Sequence, residues 1–399
     1  MNLTEHALLV ACVLAAAAAA PPDERDCICQ RVPSGVRLFA RDGWAGHAVH
    51  VHRMLHAAHE AAAGCRCAHD LLYKPLGGWG DQIRGMVTAF YAAALTHRGF
   101  ATTWSPLFRV GDYFETHLAT YSRADEAAKL EAPVIDAAGN WTYFRDPSAI
   151  DALLSLNGSA VVRTNAWQWT ELTRLPRLRA AAELLGVAGM SQEALYVLAL
   201  QVMLPRPAPA VEAHVNALLG RPADERIEFG RRPPRSKHGM RLLTIGVQIR
   251  TGGIGEAWEE ENLVRTSLPG VDCFAAEAAR LCGAQCLVFL TADSDAAAAR
   301  FKAVLAAAAG VAAAVVEHVG PVLHTDFPVP AVALGKPSSD PWQKTFVDWT
   351  ALSQVDALLM SRSGFGWTAG WAGRAPYMRM MRDGAECAWF DFETPDGLF

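Results

Sequence analysis

Between residues 242 and 250 the chain reads Leu242-Leu243-Thr244-Ile245-Gly246-Val247-Gln248-Ile249-Arg250, an apolar, β-branched run in which polar residues do not alternate. A strand with one solvated face alternates, so this run predicts a strand buried on both faces. A regular rhythm follows it: helix from about 272 to 283, strand 286–292, helix 294–309, strand 312–319, helix 342–354, strand 357–360, and a last helix and strand ending at Met381. Strands and helices alternating in pieces of this length predict a parallel sheet with helices on both faces, a Rossmann-like domain. Upstream, Leu71 to Leu76 leads into Gly77-Gly78-Trp79-Gly80-Asp81-Gln82-Ile83-Arg84-Gly85 and then into a helix through Met86 to Leu95. Strand, glycine turn and helix in that order point helix N-terminal N–H groups at an anion. From about 100 to 201 short strands and helices alternate, with Trp141, Trp167 and Trp169 among them and no catalytic pattern. Proline-rich stretches at 205–209 and 231–235 bracket one more helix and mark a domain crossing. The expectation is an α/β protein of two domains, 21–235 and 236–399.

The first twenty residues alter the picture only at the N-terminus. An apolar segment from Ala7 ends in six alanines before Pro21-Pro22, the length of a signal-peptide core and short for a bilayer span. The leading residues hold Glu5 and His6 but no Lys or Arg, so an uncleaved anchor stays open as the chain's one contact with a membrane. Either way the rest would be lumenal, in the Golgi or endoplasmic reticulum, or secreted. Beyond Cys12 the cysteines number eight, Cys27, Cys29, Cys65, Cys67, Cys273, Cys282, Cys286 and Cys387, an even set that suits an oxidising lumen. The spacing of the two C-x-C pairs is tighter than zinc sites use, and disulfides between the 27/29 and 65/67 regions account for them better. Asn140-Trp-Thr and Asn157-Gly-Ser are potential glycosylation sites. His47, His50, His52, His56 and His59 lack the acid of an H-E-x-x-H pattern, and a solvated helix face explains their spacing.

With a net charge of −5 the chain has no overall attraction for nucleic acid, and an anionic ligand must be met by a local cluster. In parallel sheets ligands sit outside the carboxyl ends of the strands. Polar clusters fall there three times: Arg250-Thr251-Gly252-Gly253, Thr291-Ala292-Asp293-Ser294 and Ser361-Arg362-Ser363-Gly364-Phe365-Gly366. Asp293, Ser294 and Ser363 each suit a helix N-cap, which is the bland reading of any one cluster. Together, arginines, hydroxyls and glycine N–H groups on one edge make a diphosphate cradle, and an acid beside it can hold ribose hydroxyls. A nucleotide is the expected ligand, in a cleft whose other wall is the glycine turn at Gly77 to Gly85. That turn fits neither a dinucleotide fingerprint, since Ile83 stands at its sixth position, nor a phosphate loop, since Met86-Val87 follows Gly85. Asp81 could instead cap a tight turn, and Arg84 in a first helical turn has the wrong sign for the dipole unless an anion is near.

The four motifs, Gly77 to Gly85, Ile245-Gly-Val-Gln-Ile-Arg250, Thr291-Ala-Asp-Ser294 and Ser361-Arg-Ser-Gly-Phe365, resemble in order and spacing those of the GDP-fucose-dependent fucosyltransferase superfamily. The resemblance implies a GT-B-like fold, two Rossmann-like domains facing across a cleft, with 21–235 on the acceptor side and 236–399 binding the nucleotide-sugar donor. It also implies an inverting transfer to a glycan or glycoprotein acceptor with no metal and no further cofactor. The donor-binding set it implies is Gly78, Gly80, Asp81, Arg84, Arg250, Asp293, Ser294, Ser361, Ser363, Gly364 and Phe365. Arg250 matches the arginine that holds the diphosphate, and Glu256 resembles a glutamate that serves as base. A solvated acidic loop through Glu259, Glu260 and Glu261 is the alternative for Glu256. Two other readings remain: a secreted protein of this fold that binds a nucleotide or glycan without turnover, and a metal-dependent transferase using the Asp293-Ser294-Asp295 triplet.

Overall fold

The computed structural model describes residues 70–96, 98–102, 108–116, 133–137, 146–156, 158–231, 242–252, 266–308, 310–318, 342–381 and 387–391. The N-terminal segment, the His-rich stretch, Cys27 to Cys67, both sequon asparagines and the loop with Glu256 lie outside the described residues. The chain divides into two compact units, each built from separated segments. The first holds residues up to Lys74, Gly85–Thr103 and Tyr121–Ser191; the second holds Pro75–Arg84, Trp104–Thr120 and Gln192–Phe399.

In the first unit, β1 (Asp70–Lys74), β2 (Gly99–Thr102), β3 (Val134–Asp136) and β4 (Ala160–Arg163) form a sheet ordered β2-β1-β4-β3, with every pairing parallel. Helix α1 (Trp79–Leu95) starts in the second unit and continues into the first. Its residues Val87, Ala89, Phe90, Tyr91 and Ala92 are buried. Helices α2 (Pro147–Ser155), α3 (Trp169–Arg174) and α4 (Arg179–Leu184) complete this unit, α2 capped by Asp146 through the Ser148 N–H with Pro147 opening the first turn.

The second unit opens with α5 (Gln192–Met203) and α6 (Pro209–Leu218). It then runs β5 (Leu243–Ile249), α7 (Leu268–Cys282), β6 (Gln285–Ala292), α8 (Asp295–Ala307) and β7 (Ala312–Val316). After a break come α9 (Gln343–Ser353), β8 (Ala357–Met360), α10 (Gly364–Gly373), β9 (Tyr377–Met381) and β10 (Trp389–Asp391). The sheet order is β10-β9-β8-β5-β6-β7, parallel except where β10 pairs antiparallel with β9. Strand β5 is buried on both faces. Ile245, Val247 and Ile249 pack with Phe274 of α7 and with Phe301 and Leu305 of α8. On the other face Gly246 is bare because a Cβ there would come within 3.0 Å of Leu352 and Val355. The doubly wound pattern that the sequence predicts from residue 242 is therefore present.

The boundary expected near 236 is not where the units part. The second unit already includes α5 and α6, and it includes the glycine turn before α1. Trp79 explains the latter: its ring, 2% exposed, stacks 5.4 Å from Phe114 and meets Phe346 and Trp349 edge-on at 4.8 and 6.1 Å. Two disulfides secure the second unit, Cys273–Cys387 and Cys282–Cys286. Among the described residues no helix is long and apolar enough to cross a membrane.

Candidate functional site

The order of the second sheet decides where its polar loops gather. From β5 the chain runs outward through β6 and β7, then returns to add β8 and β9 on the other side of β5. Loops leaving β5 and β8 therefore diverge, and the crevice at such a switch point is where parallel sheets take ligands. Arg250 leaves β5 at that place, and Ser361 leaves β8 beside it. The Arg250 N–H donates to Ser361 Oγ at 2.8 Å, and Ser361 Oγ lies 2.8 Å from Thr266 Oγ1. Ser361 and Thr266 are fully buried. Thr266 was not legible as part of the site, since it is a lone threonine ahead of a helix.

Asp293, at the end of β6, faces the same turn. Its Oδ1 accepts from Thr251 N at 2.8 Å and Thr251 Oγ1 at 2.7 Å, and its Oδ2 accepts from Gly252 N at 2.9 Å. Arg250 Nε stands 3.5 Å from Oδ2. Gly252 has φ +82°, a backbone only glycine adopts cheaply. Both oxygens of Asp293 are thus directed at the loop after Arg250, whereas the sequence reading gives this acid to ribose hydroxyls. Buried at 5% exposure, it holds that turn in one conformation. The Arg250 side chain, 14% exposed, emerges from it.

A second group of expected residues meets at the N-terminus of α10. Ser363 caps the helix, its Oγ accepting from Phe365 N at 3.3 Å. Gly80 lies against this turn so closely that a Cβ would fall 2.3 Å from the Gly364 carbonyl carbon and 2.4 Å from Phe365 N. Arg84 is buried, pairs with Asp81 and lies 5.6 Å over the Trp367 ring. A Cβ on Gly364 would be 3.5 Å from the Arg84 guanidinium carbon. Helix α1 begins at Trp79, so Asp81 takes the first turn, where an acid complements the dipole, and Arg84 falls in the second. This corrects two expectations, the helix start after Gly85 and the origin of the glycine turn in a separate domain. Gly78 supplies the carbonyl that accepts from Asp81 N and Gln82 N at 2.8 and 2.9 Å, which opens the helix.

Ser294 acts as the N-cap of α8, its Oγ accepting from Ala297 N at 3.5 Å. Within the Asp293-Ser294-Asp295 triplet, the first acid is buried in the loop network and the second is exposed. Among the described residues, no three His, Cys, Asp or Glu side chains converge as a metal would need.

Behind β6 a buried polar network adjoins Asp293. Thr291 Oγ1 donates to Asp348 Oδ2 at 2.7 Å, and Lys344 Nζ donates to the same oxygen at 2.8 Å and to the His318 carbonyl at 2.6 Å. Burial pushes the Asp348 carboxyl up, against the pull of Lys344. Burial first, then the charges of Lys344 and His214, push His318 down to about 4. The network ties α9 to the strand end two residues before Asp293.

No family model matches the chain, and no curated protein matches its sequence. Solved structures do. An Arabidopsis thaliana FUT1 mutant in complex with GDP aligns with 92% of this chain and 83% of its own, at 13% identity and a TM-score of 0.54. The fucosyltransferase NodZ from Bradyrhizobium aligns with 82% of this chain and 99% of its own, at 15% identity and a TM-score of 0.46. These structural neighbours are GDP-fucose-dependent fucosyltransferases, the superfamily that the four motifs resemble. The fold of the chain is GT-B-like, with an α/β sheet in each unit.

Proposed function

We propose that this chain transfers fucose from GDP-fucose to a hydroxyl of a glycan or glycoprotein, inverting the fucose carbon and using no divalent metal or other cofactor. The observation that carries the reading is Arg250. It leaves the central strand at the switch point of a doubly wound sheet, and its backbone is held by Ser361 and its turn by Asp293. A guanidinium there can grip two phosphate oxygens at once. The N-terminus of α10 adds positive potential on the same edge. As the acceptor oxygen bonds to the sugar carbon, the bond from that carbon to the β-phosphate oxygen breaks, GDP leaves with the electron pair, and a base takes the acceptor proton. Fixed positive groups near the leaving phosphate stabilise the charge that develops, the role a metal plays elsewhere. Glu256 is the proposed base. The Cys273–Cys387 and Cys282–Cys286 disulfides support folding in an oxidising lumen, in the Golgi or endoplasmic reticulum.

The test is fucose transfer and GDP titration on wild type, Arg250→Lys and Arg250→Ala, with circular dichroism as the folding control. Lysine keeps the charge and loses the fork. A charged hydrogen bond of about 1.5–3 kcal/mol predicts a fall in kcat/KM of roughly ten- to more than a hundredfold. Arg250→Ala should be worse. A folded Arg250→Ala protein that binds GDP and transfers fucose like wild type overturns the reading, and GDP binding without transfer by the wild type identifies a silent binding protein. Excess EDTA should leave transfer intact. Glu256→Gln should lower kcat by roughly 10²–10⁴ with GDP affinity unchanged, the scale of losing a general base.

A further inference from the structure

Strands β5 and β8 pair in parallel from Ile245 and Ala357 to Gln248 and Met360. The last main-chain rung between them runs from the Ser361 N–H to the Gln248 carbonyl at 2.9 Å. The next donor in the direction of β5, the Arg250 N–H, bonds to a side chain, Ser361 Oγ, at 2.8 Å. A serine hydroxyl can occupy any of three staggered wells, so this contact is only as fixed as the serine rotamer. A main-chain carbonyl in a ladder has no such freedom. The residue expected to grip phosphate thus leaves the sheet at a rung that something else must hold in place.

Thr266, 95 residues away in the chain, is placed to do so. Its Oγ1 lies 2.8 Å from Ser361 Oγ, so the serine oxygen is held from two sides, by Arg250 N and by the threonine. Thr266 itself is set by a helix end. Ser267, the next residue, is the N-cap of α7, its Oγ accepting from Gly270 N at 3.2 Å, and Pro269 stands in the first turn. Val271 and Phe274 of that helix share a core with Ile245, Val247 and Ile249 of β5. The β-branched threonine side chain is also stiff at χ1. Thr266 and Ser361 are both fully buried. Two buried hydroxyls bonded to one another add little stability over an apolar pair of the same shape, so stabilising the core is not what this pair is suited to supply.

We infer that Thr266 is a positioning residue for Arg250, acting through Ser361: it fixes the acceptor that aims the first peptide after β5 and, with that peptide, the guanidinium. What Arg250 grips rests on the proposed transfer; how Arg250 is held rests on the geometry alone. The two anchors of this strand end divide the work. Asp293 takes the N–H groups of Thr251 and Gly252, the residues beyond the arginine. The hydroxyl pair takes the N–H of the arginine itself. A guanidinium loosened at its own peptide keeps its charge near the ligand and loses its aim. Binding of GDP therefore suffers less than transfer, because the contact with the leaving phosphate is drawn tightest in the transition state and depends on orientation.

The test uses the full chain. Thr266→Val keeps the shape and removes the hydroxyl, and Thr266→Ser keeps the hydroxyl. Fucose transfer and GDP titration are measured on wild type, on both variants, and on Thr266→Val combined with Arg250→Ala, with thermal melts as the folding control. Amide exchange at Arg250 is followed without any ligand. Thr266→Val should lower kcat roughly three- to tenfold, the scale of one lost hydrogen bond, with a smaller loss of GDP affinity. Exchange at the Arg250 N–H should quicken, and Thr266→Ser should restore most of each reading. Where Arg250 is already alanine, the valine should not weaken GDP binding further, an outcome that general loosening of the fold does not produce. Ser361→Ala cuts the same link from its other end and replaces Thr266→Val should that variant not fold. A folded Thr266→Val protein with wild-type kcat and wild-type exchange at Arg250 overturns the inference and leaves the donor reading standing, as does a valine that weakens GDP binding equally with and without the arginine. A wild type that neither binds GDP nor transfers fucose removes the donor reading instead; quickened exchange at Arg250 in Thr266→Val then keeps the positioning role, and unchanged exchange overturns it.

Discussion

The two units carry parallel sheets whose carboxyl edges are finished in opposite ways. In the second, side chains turn inward to hold backbone: Asp293 takes Thr251 N and Gly252 N, and Ser361 takes Arg250 N. Around that frame stand a guanidinium and a helix N-terminus, an arrangement suited to an anion. In the first, the Tyr73 and Thr88 hydroxyls hold the Thr164 and Ala166 carbonyls, and Arg163, Asn165 and Trp167 are half-buried. An edge whose side chains bind its own backbone presents fixed dipoles. The same sheet architecture is thus braced in two ways, by side chains that accept from backbone N–H groups in one unit and by hydroxyls that donate to backbone carbonyls in the other.

Removing Asp293 tests the first half most severely. Asp293→Ala leaves two backbone N–H groups without their acceptor in a buried turn, and at about 1–3 kcal/mol each the loss should be roughly 2–6 kcal/mol. GDP affinity should fall at least a hundredfold. Asp293→Asn should fall between, because the amide keeps an acceptor and loses the charge. Denaturant titration and calorimetry decide it; wild-type GDP affinity in a folded Asp293→Ala protein would detach the acid from the turn's order.

Replacing Cys273 and Cys387 by serine opens a loop of 114 residues in the second unit alone. Chain-entropy arguments put the cost at about 3–5 kcal/mol. Hydrogen exchange should quicken in β9 and α7 before it does in β1 or β4, and uniform quickening would argue that the units unfold as one.

Two glycines of α1 offer a matched pair. Gly80→Ala drives a Cβ into Gly364 and Phe365, and Gly85→Ala drives one into Thr164. Each collision should cost about 1–3 kcal/mol through local displacement. The former should weaken GDP binding, and the latter should leave it nearly unchanged. Equal loss of GDP affinity in both variants would erase the distinction between the edges.

The smallest effect is in pH. His318 is held near 4 against an ordinary 6.5 by burial, Lys344 and His214. As pH drops below 6.5 the unfolded chain takes a proton that the folded chain refuses, so stability declines until about pH 4. Glu277 is held at about 2 against an ordinary 4.5, by hydrogen bonds from Arg280, then Arg379 and Tyr377, despite burial. Its contribution is complete above 4.5 and is lost as pH falls toward 2. His318→Gln should flatten the upper window and Glu277→Gln the lower. Melting temperatures from pH 7.5 to 3 measure both, and a flat wild-type profile across the upper window would remove the His318 argument.

Much of the second unit was legible because its signals are local. A run without alternation, a glycine within it and an arginine at its end define β5 from residues 242–250 alone, and the helices after it keep their spacing. Ser294 and Ser363 as caps are equally local. Tertiary structure decided what depends on strand order and on contacts distant in sequence. Periodicity does not say that β8 returns beside β5, and that return is what sets Ser361 against Arg250, 111 residues away. Nothing around Trp79 shows that its ring belongs among Phe114, Phe346 and Trp349, which draws the first glycine turn into the second unit. Asp293 reads as a ligand-binding acid until the bonds from Thr251 and Gly252 show what it holds. Nothing in Arg163-Thr164-Asn165-Ala166-Trp167 shows that its carbonyls are held by Tyr73 and Thr88, because those partners are distant in sequence.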